Sequence, residues 1–515
     1  GSSYGTVDFD PGITTVPNTS PTPAPMVAKY SSLGVHLWSF VLPIDTLYSQ
    51  IECCIVDNQN NVILGGYFFD TIDFDPGPGA AIKANPWRPN IRSAFVAMYD
   101  SNGTFLWVDC FYDTQFSTIE SIATNASGNL FVVGTFWDSL DIDPGLSINY
   151  LRTFGVEGFV TCLDPLGQQI WQISNTQLTE SVEITDIAIS GNNKIILCGQ
   201  PAMGSDIDFG SGVFAASSWT ASRFIASYDI NGNFIWGIFL EGGSTALTDQ
   251  NIAVSSTKQI IIAGVFTNTI DMDPSTGTAN VISTGFRSAF VGCYDSLGNY
   301  FWSGSINSDS QVWPYAICVD DADQVWIAGQ HKGNTDFDMG SGATALPSTS
   351  GSADPFLAGY NSSGNLIAVF ATGTSLDYEF GYGVISDGGV IYWTGTVRGA
   401  ADWDPSSGSA SLTGNGATSL FLVAYGFQNS LVDLSNEVKL SIFPNPATEN
   451  IAYNLPPNSA EHTLVVVNNM GQIMFSEKRT GESGIIDVAN WASGIYFLRV
   501  ESDEWGVLTQ KFVVR

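Results

Sequence analysis

The chain has 515 residues, 44% of them hydrophobic, enough to bury a large core split between two or more domains. Only 13% of residues are charged, about half the usual share, yet the net charge is −33, which repels phosphate backbones and anionic lipid and excludes nucleic acid as a partner. No apolar run approaches the roughly 18 residues of a membrane span, so a spanning helix is not expected.

The chain opens Gly1-Ser2-Ser3-Tyr4 with no signal peptide ahead of it, as if processed or cut inside a pattern. That pattern is a repeat. An Asp-x-Asp pair, followed by Pro or one residue later by Gly, recurs at Asp8/Asp10, Asp73/Asp75, Asp141/Asp143, Asp206/Asp208, Asp271/Asp273, Asp336/Asp338 and Asp402/Asp404. The spacings are 65, 68, 65, 65, 65 and 66 residues. Before each pair comes an apolar, alternating run ending near glycine, such as Asn61 to Phe68; after it comes a run such as Ala94 to Asp100. A glycine turn follows at Gly103, Gly167, Gly232, Gly298 or Gly364, and tryptophan stands four residues later at Trp107, Trp171, Trp236 and Trp302. Trp38 holds the same place after Gly34.

Each unit therefore carries four short strands between turn residues, with no helical period. Four antiparallel strands cannot bury both faces alone, and radial stacking of such sheets gives an all-β fold, a β-propeller. Seven blades are favoured, with six as the alternative, because the first unit lacks its opening hairpin and the last ends on a short strand, Leu431 to Leu434. The repeated Trp is expected to pack between neighbouring blades. The seven cysteines, Cys53, Cys54, Cys110, Cys162, Cys198, Cys293 and Cys318, fall in apolar runs without CxxC spacing and read as small core residues. The hairpins FVAMYDSNGTFLW and SGNLFVVGTF resemble bacterial β-propeller repeats of the SBBP kind over residues 1–434, a likeness that implies a fold and no activity.

Within the Asp-x-Asp pairs both side chains of extended backbone point the same way. Either they cap backbone amides of a turn before Pro or Gly, or they share a hard cation such as calcium. Catalytic signatures are absent: there is no HExxH, GxSxG or Walker loop. The histidines are His36, His331 and His462; His36 and His331 are expected at the surface, His331 in a loop. No catalytic residues are assigned. The connections after the second and fourth strands of each unit are long and variable, and should form one ligand face carrying Trp87, Trp219, Trp313 and Tyr378 for stacking on a glycan or protein.

Past residue 435 the repeat stops, and from Val438 onward 6 basic residues nearly balance 8 acidic ones. Short strands at Lys439 to Phe443, Thr463 to Asn468, Gln472 to Ser476, Gly494 to Glu501 and Val507 to Val514 suit a small immunoglobulin-like β-sandwich over 435–515. The segments LSIFPNPATENI, VVVNNMGQIMF, WASGIYFLRVES and QKFVVR resemble, in order and spacing, the C-terminal sorting domain of type IX secretion cargo. By that resemblance Phe443, Pro444, Asn445 and Pro446 open the signal, while Gly494, Ile495, Tyr496 and Phe497 with Lys511, Phe512, Val513 and Val514 form its terminal strands. It implies a Gram-negative host, transit of the outer membrane to the surface or exterior, and three partners: a shuttle barrel, a large translocon barrel and a surface sortase. The whole chain then reads as exported cargo with a non-enzymatic binding or adhesion propeller. The alternatives are a polysaccharide-active enzyme and a structural part of a surface or motility apparatus.

Overall fold

The computed structural model describes the chain except for residues 12–14, 33, 43, 45–48, 87–89, 144, 146–148, 175–180, 192, 217–220, 244–249, 375–378, 406–408, 414–417, 427–440, 444–445, 456–461, 469–471, 482 and 503–505. The chain separates into two compact units, Gly1–Gly426 and Phe427–Arg515. Apart from one 3-10 turn, Thr349–Gly351, the regular structure of the described residues is β.

In the first unit the repeat becomes a series of antiparallel sheets whose strands pair in chain order. In the second sheet these strands are Gln50–Val56, Val62–Phe68, Ser93–Tyr99 and Phe105–Phe111. Seven such sheets occur among the described residues; the first (Ser2–Asp8, Pro17–Tyr30, His36–Val41) and the last (Phe380–Asp387, Val390–Val397, Ser419–Gly426) each show three strands. First strands of successive sheets, from the second to the seventh, lie side by side. That succession is a β-propeller arrangement. Leu431 to Leu434, expected as the closing strand, lies outside the described residues.

In the second and fifth sheets the second and third strands are buried along their whole length: Val62–Phe68 and Ser93–Tyr99, Ile260–Phe266 and Ser288–Tyr294. Alternation in the sequence suggests one wet face, but adjoining sheets cover both, so every side chain there packs. Fourth strands alternate instead: Leu106, Ile170, Ile235, Phe301 and Ile367 are exposed while the next residue turns inward.

Two devices join consecutive sheets. The indole N–H of each fourth-strand Trp donates to a carbonyl in the hairpin turn of the next sheet: Trp38 to Ser101, Trp107 to Pro165, Trp171 to Ile230, Trp236 to Ser296 and Trp302 to Ser362, at 2.9–3.2 Å. Each ring lies under the turn glycine, for example Trp171 under Gly232, whose φ of 83° no β-branched residue adopts comfortably. The Asp-x-Asp hairpin supplies the second device, by pairing with the end of the preceding sheet's fourth strand. Glu241 pairs with Asp271, and Asn307 with Asp336. Single bridges Ile44 to Ile72 and Asp113 to Leu140 do the same at earlier seams.

Four cysteines are buried (Cys110, Cys162, Cys198, Cys293), Cys53 and Cys318 are half-buried and Cys54 is exposed; all seven are free thiols. Burial pushes Cys110, Cys162, Cys293 and Cys318 up to about 12, which suppresses the reactive thiolate. His331 departs from expectation. It lies in the strand Val325–Lys332, fully buried edge-on to Phe337 and Phe356, with Nδ1 bonded to the Thr335 hydroxyl at 3.0 Å. A polar residue inside an apolar run reads as a loop when the run's neighbours in space are unknown.

The second unit stacks a three-stranded sheet (Ser441–Phe443, Asn450–Asn454, Ser483–Asp487) and a four-stranded one (Ile473–Arg479, His462–Asn468, Gly494–Ser502, Gly506–Val514) around Ile451, Tyr453, Leu464, Leu498 and Phe512.

Candidate functional site

The Asp pairs are built into hairpin turns. Oδ1 of Asp73 accepts the backbone N–H of Asp75 (3.1 Å) and of Ala81 (2.8 Å). The same two acceptances, from residues two and eight further on, recur at Asp8, Asp206, Asp271, Asp336 and Asp402. At Asp141 the longer bond, from Asn149, is present at 2.9 Å. In five pairs the second carboxylate caps the turn itself: Asp75 accepts from Gly77, Asp143 from Gly145, Asp208 from Gly210, Asp273 from Ser275 and Asp338 from Gly340. In four of these its other oxygen presses on Gly79, Gly212, Gly277 or Gly342, where any Cβ would overlap it. In the first and last pairs, Asp10 and Asp404 donate their backbone N–H to Oδ1 of Asp8 and Asp402 at 3.1 Å, and the turns beyond them run outside the described residues. The residue between the two aspartates, such as Phe74 or Ile207, is buried.

Among the described residues, no group of three or more His, Cys, Asp or Glu side chains is arranged to hold a metal ion. That applies to Asp8 with Asp10, Asp73 with Asp75, Asp141 with Asp143, Asp206 with Asp208, Asp271 with Asp273, Asp336 with Asp338 and Asp402 with Asp404. Oδ1 of the leading aspartate in each pair accepts backbone amides, and a calcium ion there would have to draw on the remaining carboxylate oxygens and on further carbonyls or water. The geometry is that of turn caps.

Of the aromatic residues expected on a ligand face, Trp87, Trp219 and Tyr378 lie outside the described residues. Trp313 lies inside the first strand of the sixth sheet, Gln311–Val319, and not in a connection; the Arg287 guanidinium covers its ring at 4.5 Å.

A different constellation emerges where the chain enters the first strands. In five of these strands one residue is extra to the ladder: Glu52, Glu120, Thr185, Tyr315 and Tyr382. Such bulges free a side chain from the pleat and re-aim it. Gln250, 65 residues after Thr185 and 65 before Tyr315, opens the equivalent strand of the fifth sheet. These six positions stand 21 residues before their Asp-x-Asp pair, 20 in the last unit, and hold Glu, Glu, Thr, Gln, Tyr and Tyr. A constant offset bearing a changing residue was the available signal, and a search for recurring residues passes over it.

Four of the six, Glu120, Thr185, Gln250 and Tyr315, line one cavity of about 350 Å³ with Arg92, Phe116, Glu183, Asn251 and Pro314. Burial raises Glu52, Glu120 and Glu183 above the ordinary carboxylate range. Glu120 reaches about 7: burial dominates, the Glu52 and Glu183 charges add to it, and the Thr135 hydroxyl at 3.0 Å and Arg92 oppose it. Arg92 stacks over Tyr67 at 4.1 Å and Phe116 at 5.9 Å. The walls are tied sheet to sheet. Asp186 accepts from Ser121 Oγ (2.6 Å) in the sheet before and Ile252 N–H (2.8 Å) in the sheet after, and Thr185 Oγ1 donates to the Gln250 carbonyl at 2.9 Å. A rigid polar and aromatic cup of this kind can hold a small ligand.

In the second unit the motif segments meet directly. Gly494 pairs with Val514, Ile495 with Val513, Tyr496 with Phe512 and Phe497 with Lys511. Tyr496 stacks on Phe512 at 5.8 Å and packs on Trp491 at 5.1 Å. Phe443 ends the strand Ser441–Phe443, Pro444 and Asn445 lie outside the described residues, and Pro446 is exposed. Ala447 then donates its N–H to Val513 (2.8 Å) and accepts from Arg515 (2.9 Å), fixing the chain end. The strand Gly506–Val514 forms the edge of its sheet.

Residues 441–515 match the family described as the secretion system C-terminal sorting domain. An uncharacterized WD repeat-containing protein of Acanthamoeba polyphaga mimivirus is 23% identical over 365 residues, covering 59% of this chain and 26% of the relative. The chain thus spans about a quarter of that relative's length. Among solved structures, PorZ, a surface component of the type IX secretion system of Porphyromonas gingivalis, aligns over 90% of this chain and 75% of its own at 8% identity and a TM-score of 0.25. Dimeric latent PorU of the same organism aligns over 78% and 34% at 10% identity and a TM-score of 0.13. The C-terminal unit is therefore a type IX sorting domain, and the chain is cargo exported to the cell surface or the extracellular space.

Proposed function

We propose that the repeat unit is the passenger of this export: a non-enzymatic binding or adhesion module held outside the cell, with the shuttle barrel, translocon barrel and sortase of type IX secretion as its partners in transit. The match of residues 441–515 to a sorting domain carries the export half of this reading. Support for the binding half comes from a repeated scaffold in which one first-strand position holds Glu, Glu, Thr, Gln, Tyr and Tyr in successive sheets while five seams keep the same tryptophan, as expected when selection acts on what a rigid frame displays. Removing residues 438–515 should leave a folded repeat unit in the periplasm. Arrival of that truncated chain at the surface at the wild-type level would sink the export reading. A polysaccharide-active enzyme is the second reading, favoured by Glu120 and Glu183 sharing one cavity with raised protonation. Release of reducing ends from a polysaccharide, lost in Glu120→Gln, would replace the first reading by the second.

A further inference from the structure

Gln250 is 2% exposed, and neither its amide nitrogen nor its amide oxygen has a hydrogen-bond partner. It lies on the wall of the cavity that Glu120 and Glu183 also line. Leaving a buried donor and a buried acceptor unmade is costly, so such groups are ordinarily matched by protein, water or ligand. Resting on the reading of the repeat unit as a binding module, we propose that this cavity takes one neutral, hydroxyl-rich ring, a single hexose or N-acetylhexosamine unit, with the Gln250 carboxamide bonding two adjacent hydroxyls.

The chemistry of the walls selects that class. A carboxamide presents a donor and an acceptor side by side, which neighbouring hydroxyls satisfy because each can both give and accept. Glu120 and Glu183 repel an anionic ligand, while Arg92 on the same wall repels a cationic one. Phe116 and Tyr315 supply aromatic faces for the C–H side of a sugar ring. The volume, about 350 Å³, sits at the lower end of the roughly 300–1,000 Å³ that small-ligand sites occupy, which suits one ring and not a chain.

The full chain would be titrated with glucose, galactose, mannose and N-acetylglucosamine, followed by saturation-transfer NMR. Glucosamine, glucuronic acid and calcium ions serve as charged comparators. At least one neutral sugar is expected to bind, with affinity at least tenfold weaker in Gln250→Leu and in Phe116→Ala. Gln250→Leu should melt no lower than the wild type, because it removes unmatched buried groups; if it fails to fold, Phe116→Ala carries the test. The proposal is overturned if no neutral sugar gives transfer, if both variants bind as the wild type does, or if only a charged comparator binds. Surface arrival of Gln250→Leu is scored separately, so a failed titration leaves the export reading standing.

Discussion

Gln169 donates its side-chain N–H to the carbonyl of Ile142 at 2.8 Å, and in doing so replaces a tyrosine. In the six other sheets, the carbonyl between the two aspartates accepts a tyrosine hydroxyl from the end of the third strand: Tyr30 to Phe9, Tyr99 to Phe74, Tyr228 to Ile207, Tyr294 to Met272, Tyr360 to Phe337 and Tyr425 to Trp403. The third sheet has Leu163 at that position, and the donor comes instead from the start of the fourth strand. Gln169→Leu should therefore cost about 1–2 kcal/mol in denaturant unfolding, the usual penalty for an orphaned carbonyl. Adding Leu163→Tyr should restore most of the loss. Gln169 also donates to the Thr161 hydroxyl at 3.1 Å, so failure of the second change to rescue the first would mean that the bond to Ile142 is not what Gln169 contributes.

The tryptophan seams give a coupled pair. Trp171→Phe, which keeps a ring and drops the N–H to Ile230, should cost about 1 kcal/mol. Trp171→Ala should cost about 2–4 kcal/mol through the cavity it leaves. Gly232→Ala, strained at its positive φ and pressed on the same ring, should add less in the Trp171→Ala background than alone. Full additivity in a double-mutant cycle would show that the two residues do not share a seam.

For the Asp pairs, backbone amides already occupy Oδ1 of both carboxylates in the second sheet's hairpin, so the melting temperature should not move in excess chelator. Asp73→Ala should instead destabilise by about 1–3 kcal/mol, from two lost charge-assisted bonds. A chelator-induced drop of several degrees would establish a bound cation, which stabilises by mass action.

Glu120 should make the protein less stable as pH rises. Its folded value, about 7, exceeds the ordinary value of 4.5, so the folded state holds the proton more tightly than the unfolded chain does. Its contribution is complete below about pH 4.5 and is lost as pH climbs to about 7. Glu120→Gln should remove that slope and raise the melting temperature at pH 8 more than at pH 5. Equal effects at both pH values would mean that Glu120 is not protonated in the folded state near neutrality.

What could be read from the residues alone follows from what recurs. Trp38, Trp107, Trp171, Trp236 and Trp302 serve one purpose, so identity persists and the seam between sheets shows in the sequence itself. The bulge positions share a purpose of placement only. Glu52, Glu120, Thr185, Gln250, Tyr315 and Tyr382 have no one chemistry in common, and the bulges that aim all of them but Gln250 leave no mark on a hydrophobic pattern. His331 is hidden for a related reason: its partners, Thr335, Phe337 and Phe356, are brought together by a hairpin and a neighbouring strand. The terminal motifs are legible because Gly494 to Phe497 and Lys511 to Val514 face each other residue by residue, so their spacing tracks one hairpin.

From the second sheet to the fifth, each repeat presents a tryptophan on one flank and, on the other, the glycine turn that receives its predecessor's tryptophan; the sixth has the receiving turn at Gly364 but Ala368 in place of the tryptophan. A duplicated unit of about 65 residues set between any two of the first six sheets would meet a ready-made half-seam on both sides. Unequal crossing-over within the gene can thus add or delete whole sheets without orphaning a junction. Every new copy arrives with one bulge residue that is free to diverge.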